Sequence, residues 1–307
     1  MKIKEESYSS GIVCFLDILG FKSVAENEDN FKSLKDIYNK ILNKEIIINN
    51  YMEYKDLKMS IFSDSIILTC NIADKEINLV IEAIIELVFS IRNIIIKDLN
   101  TDIRCGICYG KYIHQLSENF TSKNLANDDI ICKATSSDSI YFGPAIISAY
   151  SLAEKSDKYY PIDILKKRPA AILIDKTSFY DGHENKLDVD YYFENLKQQS
   201  YIENVNDYCD LDANIVSKKN EREILIFNSY KYDLINFKFM NKELFVKHII
   251  EQTCSEPEIK KKYELNALEL INALKYAGEI DESSTKCIEH KNDISKISSY
   301  YGFEYKI

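Results

Sequence analysis

Hydrophobic residues follow two periodicities along the chain, and their alternation predicts a mixed fold. Apolar residues recur every three or four positions through residues 29–46 and 75–97, which is the spacing of an amphipathic helix. Short apolar runs between and after these segments predict strands at residues 11–19, 57–63, 65–71, 102–110 and 170–175. The resulting order favours an α+β fold, in which helices pack on one face of a mainly antiparallel sheet.

The rest of the chain predicts a loop, one more strand and a helical end. Residues 115–130 are polar and indicate a loop, and residues 222–228 indicate a strand that closes the sheet. From residue 235 the pattern is helical, with breaks at Pro257 and Gly278. The segments with helical spacing are residues 241–254, 256–277 and 285–299. We therefore expect one domain over residues 1–230 and a C-terminal helical extension over residues 231–307.

Two aspartates interrupt apolar strand-like runs. Asp17 lies in the segment GIVCFLDILGF, and Asp64 lies in MSIFSDSIILT. Burying a carboxylate is costly unless a positive charge is close by. Mg²⁺ and Mn²⁺ bind Asp oxygens and water, so the pair favours a site for a divalent cation. Taken singly, each aspartate is also consistent with capping a strand end or accepting backbone N–H groups.

Glycines and one arginine mark two further segments. Four of the eight glycines lie in the candidate motifs, at positions 20, 106, 110 and 143. Pro144 suits the first position of a helix, where its missing N–H has no intrahelical partner. Arg104 lies in the strand-like DIRCGICYG, where its planar guanidinium could bind a phosphate through two N–H groups. The alternative for Arg104 is a surface ion pair with Asp102 or Glu118.

These motifs together resemble a known family. The combination FLDILGF, FSDS, Arg-x-Gly-Ile-x-x-Gly and Gly-Pro-Ala-x-x-x-Ala-Tyr-x-Leu resembles the class III nucleotidyl cyclases over roughly residues 10–175. More narrowly, it is similar to the bacterial pyrimidine cyclases of Pycsar antiphage systems. The resemblance implies a phosphorus–oxygen lyase that makes a 3′,5′-cyclic nucleotide and pyrophosphate from a nucleoside triphosphate. It also implies a homodimer, and a second-messenger product that activates a separate antiphage effector protein.

The same resemblance assigns roles to residues of this chain. Asp17 and Asp64 become the ligands of two divalent ions, Mn²⁺ or Mg²⁺, with the Ile18 carbonyl as a further ligand. Arg104 becomes the arginine that contacts the triphosphate. In most of the family the helix after Gly143 also carries an Asn and an Arg that stabilise the transition state. The matching residues here are Ile147 and Ser151, and a shift of one residue places Ser148 at the first position. This departure supports the alternative of a catalytically inactive nucleotide-binding regulatory module with the cyclase fold.

The predicted base is a pyrimidine. Ser60 stands where purine cyclases carry a base-reading lysine, and Ile140 replaces its partner acid. Neither an adenine-reading nor a guanine-reading pair is present, which favours UTP, and less strongly CTP, as the substrate. Tyr51, Tyr54 and Tyr141 could stack on the base or bond to its edge. The chain has 22 tyrosines, so each is also consistent with ordinary packing.

Charge and composition exclude several other classes. The net charge is −10 and the basic residues form no stripe, which argues against duplex nucleic acid as the main ligand. No apolar run reaches the ~18 residues of a membrane span, and the first residues lead into a strand rather than a signal peptide. Eight scattered cysteines favour reduced thiols and a cytoplasmic protein. The four histidines are isolated in sequence, which argues against a histidine-based centre.

Overall fold

A computed structural model gives the fold of the chain. The residues that it describes are 8–21, 28–42, 57–72, 77–115, 133–135, 140–154, 170–182, 186–199, 201–204, 222–236, 242–252, 257–280 and 284–303. Within these ranges, no helix is both long enough and apolar enough to cross a membrane.

One sheet contains the described strands. They are β1 Ser9–Ile18, β2 Leu57–Phe62, β3 Ser65–Asn71, β4 Ile103–Gln115, β5 Lys133–Thr135, β6 Ile140–Phe142, β7 Ile172–Asp175, β8 Ile202–Asn204 and β9 Ile224–Phe227. Their order across the sheet is β5-β2-β3-β1-β4-β7-β9-β8, and β6 pairs with β4. Among the described strand pairs, only β2–β5 and β4–β7 are parallel. The predicted α+β fold with a mainly antiparallel sheet is therefore confirmed.

Helices follow most of the strands and then fill the C-terminal third. They are α1 Glu28–Leu42, α2 Ile77–Leu99, α3 Pro144–Glu154, α4 Lys176–Gly182, α5 Lys186–Gln198, α6 Ser229–Asn236, α7 Lys242–Lys247, α8 Pro257–Lys262, α9 Glu264–Ile280 and α10 Ser284–Tyr301. A π-helical turn, His248–Gln252, continues α7. The predicted domain boundary between residues 230 and 231 falls inside α6.

The two faces of the sheet have separate cores. Ile12, Cys14 and Leu16 of β1 pack on the side of α1, α2 and α5. Val13 and Phe15 face the other way, toward α3. This alternation follows from the period of two along a strand. The prediction that helices cover a single face is wrong for α3.

Two glycines explain why α3 can lie on the second face. A Cβ atom at Gly106 of β4 would lie 2.2 Å from the carbonyl oxygen of Ala149 and 2.7 Å from the Cβ of Leu152, both in α3. Gly143, just before α3, has φ 132°, and a Cβ there would lie 2.8 Å from the Lys111 carbonyl oxygen. Glycine is therefore needed for the helix to approach the strand and for the chain to turn into it.

Two other details of the sequence-based prediction are wrong. Strand β9 lies between β7 and β8, so it does not close the sheet, and among the described strands β8 is the edge at that end. Gly278 does not end a helix, because α9 continues to Ile280. Gly278 faces His290 of α10, and packing between these two helices outweighs the ~1 kcal/mol that glycine costs in a helix interior. The predicted loop lies outside the described residues except for Gln115, which ends β4.

A buried arginine joins the sheet to the C-terminal helices. Arg92 of α2 donates from Nε and Nη2 to the two carboxylate oxygens of Asp102, both at 2.8 Å. Its Nη1 donates to Asp233 Oδ2 of α6 at 2.5 Å. Its guanidinium carbon lies 4.7 Å from the ring centroid of Tyr230 and 5.2 Å from that of Phe245. Those two rings belong to the apolar cluster formed with α9 and α10.

The carboxylates of this cluster have unequal proton affinities. Burial alone would raise the pKa of Asp102, but the two bonds from Arg92 outweigh it, and the pKa is lowered. Burial raises the pKa of Asp233 to about 7 although Arg92 and Asn93 both bond to it. The single positive charge of Arg92 thus serves two buried carboxylates unequally: two of its bonds go to Asp102 and one goes to Asp233.

We expect Arg92→Met to lower the free energy of unfolding by about 3–5 kcal/mol, since it leaves the buried Asp102 without its cation. Lys40→Met is the matched control, because the Lys40–Asp98 pair is largely exposed on the lysine side and should cost no more than about 1 kcal/mol. Urea unfolding of both variants measures the difference. Equal effects of the two substitutions would contradict the structural role given to Arg92.

Candidate active site

Asp17 lies at the end of β1, in the centre of the sheet. It pairs with Ser65 of β3 on one side and with Arg104 of β4 on the other. Its residue is 7% exposed, and the strand alternation puts it on the same face as Val13 and Phe15, toward α3. The run of apolar residues before it forms the strand, and the turn after it brings the chain out of the sheet.

Asp64 lies in the two-residue turn between β2 and β3. Ser63, the first residue of that turn, has φ 54°. The Asp64 carbonyl accepts a bond from the Ile18 N–H at 2.9 Å, and Tyr38 of α1 donates its hydroxyl to the Ser63 carbonyl. Burial, and then the charge of Asp64, raise the pKa of Tyr38 to about 12. These contacts hold the turn that carries Asp64 beside the end of the strand that carries Asp17.

Arg104 pairs with two carboxylates in this site. Its Nη2 donates to Asp17 Oδ2 at 2.5 Å and to Glu154 Oε1 at 2.8 Å, and its Nε donates to the same Asp17 oxygen at 3.2 Å. The alternative partner Asp102 is bonded instead to Arg92. Glu118 lies outside the described residues. Arg104 therefore faces the predicted site and connects β1 to the end of α3.

Glu154 is a site residue that the sequence analysis missed. Burial and hydrogen bonding to Asp17 raise the pKa of the Glu154 carboxyl to about 7, and the charges of Asp17 and Asp64 add to this against the pull of Arg104. Three carboxylates thus act on one another around a single guanidinium. The sequence showed an acid at the end of a helix, but nothing in it indicated which strand residue that end would reach.

The donor set around Asp17 and Asp64 suits a hard divalent cation. No group of three or more His, Cys, Asp or Glu side chains within the ranges given above is arranged to hold a metal. Two carboxylates and the Ile18 carbonyl still form an all-oxygen set, and Mg²⁺ commonly binds through one or two carboxylates while keeping several waters. The residues present therefore fit such an ion. In the conformation described, the guanidinium of Arg104 supplies the positive charge next to Asp17.

The predicted base-reading residues meet at a buried histidine. Ser60 is 2% exposed, and its Oγ lies 2.7 Å from His114 Nε2. Thr69 Oγ1 lies 2.8 Å from His114 Nδ1, and the Tyr141 ring centroid lies 6.2 Å from that of His114. Lys58 donates to the His114 carbonyl. Tyr51 and Tyr54 lie outside the described residues.

His114 stands alone among the histidines in sequence, yet it has hydrogen-bond partners on two neighbouring strands. It lies in the part of β4 that extends past residue 110, where the sequence analysis ended the strand. Burial, and then the charge of Lys58, lower its pKa to about 4. A neutral imidazole has one N–H donor and one acceptor nitrogen, so Ser60 and Thr69 play opposite hydrogen-bonding roles toward it.

The residues at the two transition-state positions carry no charge. Ile147 of α3 is 65% exposed and Ser151 is half-buried, as is Ser148. Other exposed apolar side chains include Tyr150 on the same helix, Tyr8 just before β1, Phe62 at the end of β2 and Phe142 at the end of β6.

Comparison with known proteins gives only distant similarities. No protein-family model matches the chain, and no curated protein matches it. Among solved structures, it is similar to a dimeric guanylyl cyclase domain of the RhoGC fusion protein from the aquatic fungus Blastocladiella emersonii. That match has a TM-score of 0.41 and 12% identity, over 72% of this chain and 94% of that one.

Two further solved structures are similar to a comparable degree. The guanylate cyclase domain of RhGC from Catenaria anguillulae, in complex with GTP, has a TM-score of 0.40 and 13% identity over 72% of this chain and 96% of that one. A bacterial light-regulated adenylyl cyclase has a TM-score of 0.39 and 15% identity over 79% of this chain and all of that one. Because these scores are low, we base the function on the chain's own residues.

The lowered pKa of His114 predicts a loss of stability in acid. The folded pKa of about 4 lies below the ordinary 6.5, so the stabilisation is present above pH 6.5 and is lost as the pH falls toward 4. Between about pH 7 and about pH 5 this group should cost the wild type about 2 kcal/mol of unfolding free energy. Glutamine does not titrate, so between the same two pH values the unfolding free energy of His114→Gln should fall by about 2 kcal/mol less than that of the wild type. Urea unfolding at both pH values measures this difference. The same dependence of unfolding free energy on pH in both proteins would refute the lowered pKa of His114.

Proposed function

We propose that the protein is a nucleotidyl cyclase. It converts a pyrimidine nucleoside triphosphate, UTP in preference to CTP, into the 3′,5′-cyclic monophosphate and pyrophosphate. The observation that carries this proposal is the arrangement of Asp17 and Asp64 on adjoining strand ends, with Arg104 bonded to Asp17. The four motifs that resemble class III cyclases support it, since Asp17, Asp64 and Arg104 each come from one of those motifs.

The protein residues have separate tasks in this reaction. Asp17, Asp64 and the Ile18 carbonyl would hold two divalent ions, Mn²⁺ or Mg²⁺, whose chemistry is to activate the ribose 3′-hydroxyl and to stabilise charge on the α-phosphate. Arg104 donates hydrogen bonds to the triphosphate and stabilises the charge that builds up on the departing pyrophosphate. Its permanent charge suits this role, because it cannot lose its proton to the leaving group.

In this proposal the base is bound near Ser60, on the face of the sheet that α3 covers. Ser60 and Tyr141 both contact His114, and Ser60 and Ile140 stand where purine cyclases carry their lysine and acid. Tyr141 is half-buried, so its ring can meet a base, whereas Ser60 is 2% exposed and acts on the site through His114. We include Tyr54 from the resemblance. The absence of the purine-reading pair is what favours a pyrimidine base.

A second copy of the chain completes the site. Apolar surface is exposed on α3, at Ile147 and Tyr150, and at the ends of β2 and β6, at Phe62 and Phe142. Apolar surface of this kind is covered in a homodimer. The partner would also supply a transition-state group, since Ile147 and Ser151 carry no charge. In this proposal residues 1–230 are the catalytic domain, residues 231–307 are a helical extension, and a separate cytoplasmic effector reads the cyclic nucleotide in antiphage defence.

One observation favours a second candidate function. Ile147 offers an exposed hydrocarbon surface where most of the resembled family carries an asparagine. A nucleotide-binding regulatory module without catalysis would need no group there. The two carboxylates favour the enzyme, because keeping two acids close together is unfavourable without a cation to bind.

We expect Asp64→Asn to lower cyclic nucleotide formation by more than about 100-fold, because loss of a group that only supports a metal ligand already costs about 10–100-fold. The melting temperature should stay unchanged or rise, since one of three neighbouring acids loses its charge. Asp36→Asn, an exposed residue of α1, is the matched control. Incubation with each of the four nucleoside triphosphates and Mn²⁺, followed by mass analysis, measures the products. Unfolding of Asp64→Asn, or no cyclic product from the wild type, would favour the regulatory module.

We expect the wild type to be a dimer that buries well over ~1,000 Å², and Ile147→Asp to convert it to a monomer with little activity. Ile288→Asp is the matched control, because Ile288 is 57% exposed but lies on α10. Light scattering after size exclusion at micromolar concentration gives the masses. A wild-type monomer that still turns over nucleotide would contradict the shared site.

A further inference from the structure

The hydrogen bonds of Arg104 are divided between two carboxylates on different elements. Nη2 lies 2.5 Å from Asp17 Oδ2 and 2.8 Å from Glu154 Oε1. Both bonds to Asp17 end on one carboxylate oxygen. The side chains of Arg104 and Glu154 are 30% and 26% exposed, so water screens their interaction only in part.

Glu154 is held in place by helix packing rather than by a loop. It is the last residue of α3, and α3 lies directly on Gly106 of β4, two residues after Arg104. The close contact at Gly106 sets the distance of α3 from β4 and so brings the Glu154 carboxylate to 2.8 Å from Arg104 Nη2.

A divalent cation at Asp17 competes with Arg104. The carboxylate that accepts both bonds from Arg104 belongs to a predicted metal ligand, so two positive charges share it, and each weakens the binding of the other. Glu154 provides a second charge-assisted bond that Arg104 keeps during the exchange. Without Glu154, Asp17 is the one partner left to Arg104 among the described residues, and the cation then acts against the whole of that pairing.

We propose that Glu154 is a positioning residue that draws Arg104 away from Asp17 and so sets the affinity of the site for divalent cations. This inference rests on the proposed function for the identity of the metal ligands. Glu154 also contacts Asp17 directly, but in this proposal it acts on the metal site through Arg104 and binds no metal itself. In the metal-bound state it keeps the guanidinium at the end of α3, within the site, where the triphosphate can accept its remaining N–H groups.

Binding of Mn²⁺ alone to the full-length, nucleotide-free protein tests this, measured by calorimetry and by the electron paramagnetic resonance of free Mn²⁺. We expect Glu154→Gln to weaken Mn²⁺ binding about tenfold or more, because Arg104 then pairs only with Asp17. In an Arg104→Met background the same substitution should change the affinity less than about threefold. An equal loss in both backgrounds would show direct ligation or a long-range charge effect and would overturn the proposal. No loss in the wild-type background, or no Mn²⁺ binding by the wild type, would also overturn it.

Two more variants separate position from charge. Glu154→Asp keeps the charge but shortens the side chain, so it should weaken Mn²⁺ binding as Glu154→Gln does, whereas a pure charge effect would leave wild-type affinity. If Glu154→Gln does not fold, Glu154→Asp alone tests whether the position of the carboxylate matters. Glu194→Gln, an exposed residue of α5, should bind Mn²⁺ like the wild type. Melting temperatures of the variants should stay within about 4 °C of the wild type, since partly exposed pairs contribute little stability.

The outcome is independent of turnover. Mn²⁺ titration needs no nucleotide, so the dependence on Arg104 can hold even if no cyclic product is formed, in which case only the proposed function fails. Conversely, if the protein makes a cyclic nucleotide but substitutions of Glu154 leave its Mn²⁺ affinity unchanged, the proposed function stands and the positioning role of Glu154 is refuted.

Discussion

The buried pairing of Arg92 with Asp102 holds together the two strand ends that carry Asp17 and Arg104. Asp102 also accepts a bond from the Ile103 N–H, and its carbonyl accepts one from the Leu19 N–H. The same residue therefore positions the start of β4, which carries Arg104, and the turn after β1, which follows Asp17. Since a buried guanidinium must keep its carboxylates, α2 and α6 cannot shift without disturbing both strands.

Around Asp17, the described residues place one positive side chain, Arg104, among three acidic ones. Arg104 is paired with Asp17 and Glu154, and Asp64 adds a further negative charge close enough to raise the pKa of Glu154. An arrangement that served only stability would not place these acids together, since like charges oppose one another. The excess of acids is explained if the site binds divalent cations during the reaction, while Arg104 stays beside them.

Local patterns in the sequence were enough to predict β1, β2, β3, β4, β7 and β9, because a period of two and a turn between apolar runs are local features. The three-residue strands β5 and β8 were not predicted, since so short a segment carries no clear period. Glu154 and His114 could not be found in this way. The first depends on how α3 lies across β4, and the second on β4 running five residues past the predicted end at residue 110. Both are set by contacts between distant segments, which no local pattern encodes.

The close contact between Gly106 and α3 limits how this protein can vary through evolution. Any side chain at position 106 would have to move the helix outward from the sheet, because backbone atoms of Ala149 fill the space a Cβ would need. The end of α3 would move with it and carry the carboxylate of Glu154 away from Arg104. The lack of a side chain at position 106 thus keeps Arg104 and Glu154, 50 positions apart in the chain, within hydrogen-bond distance, and a larger residue there can be accepted only where that contact is dispensable.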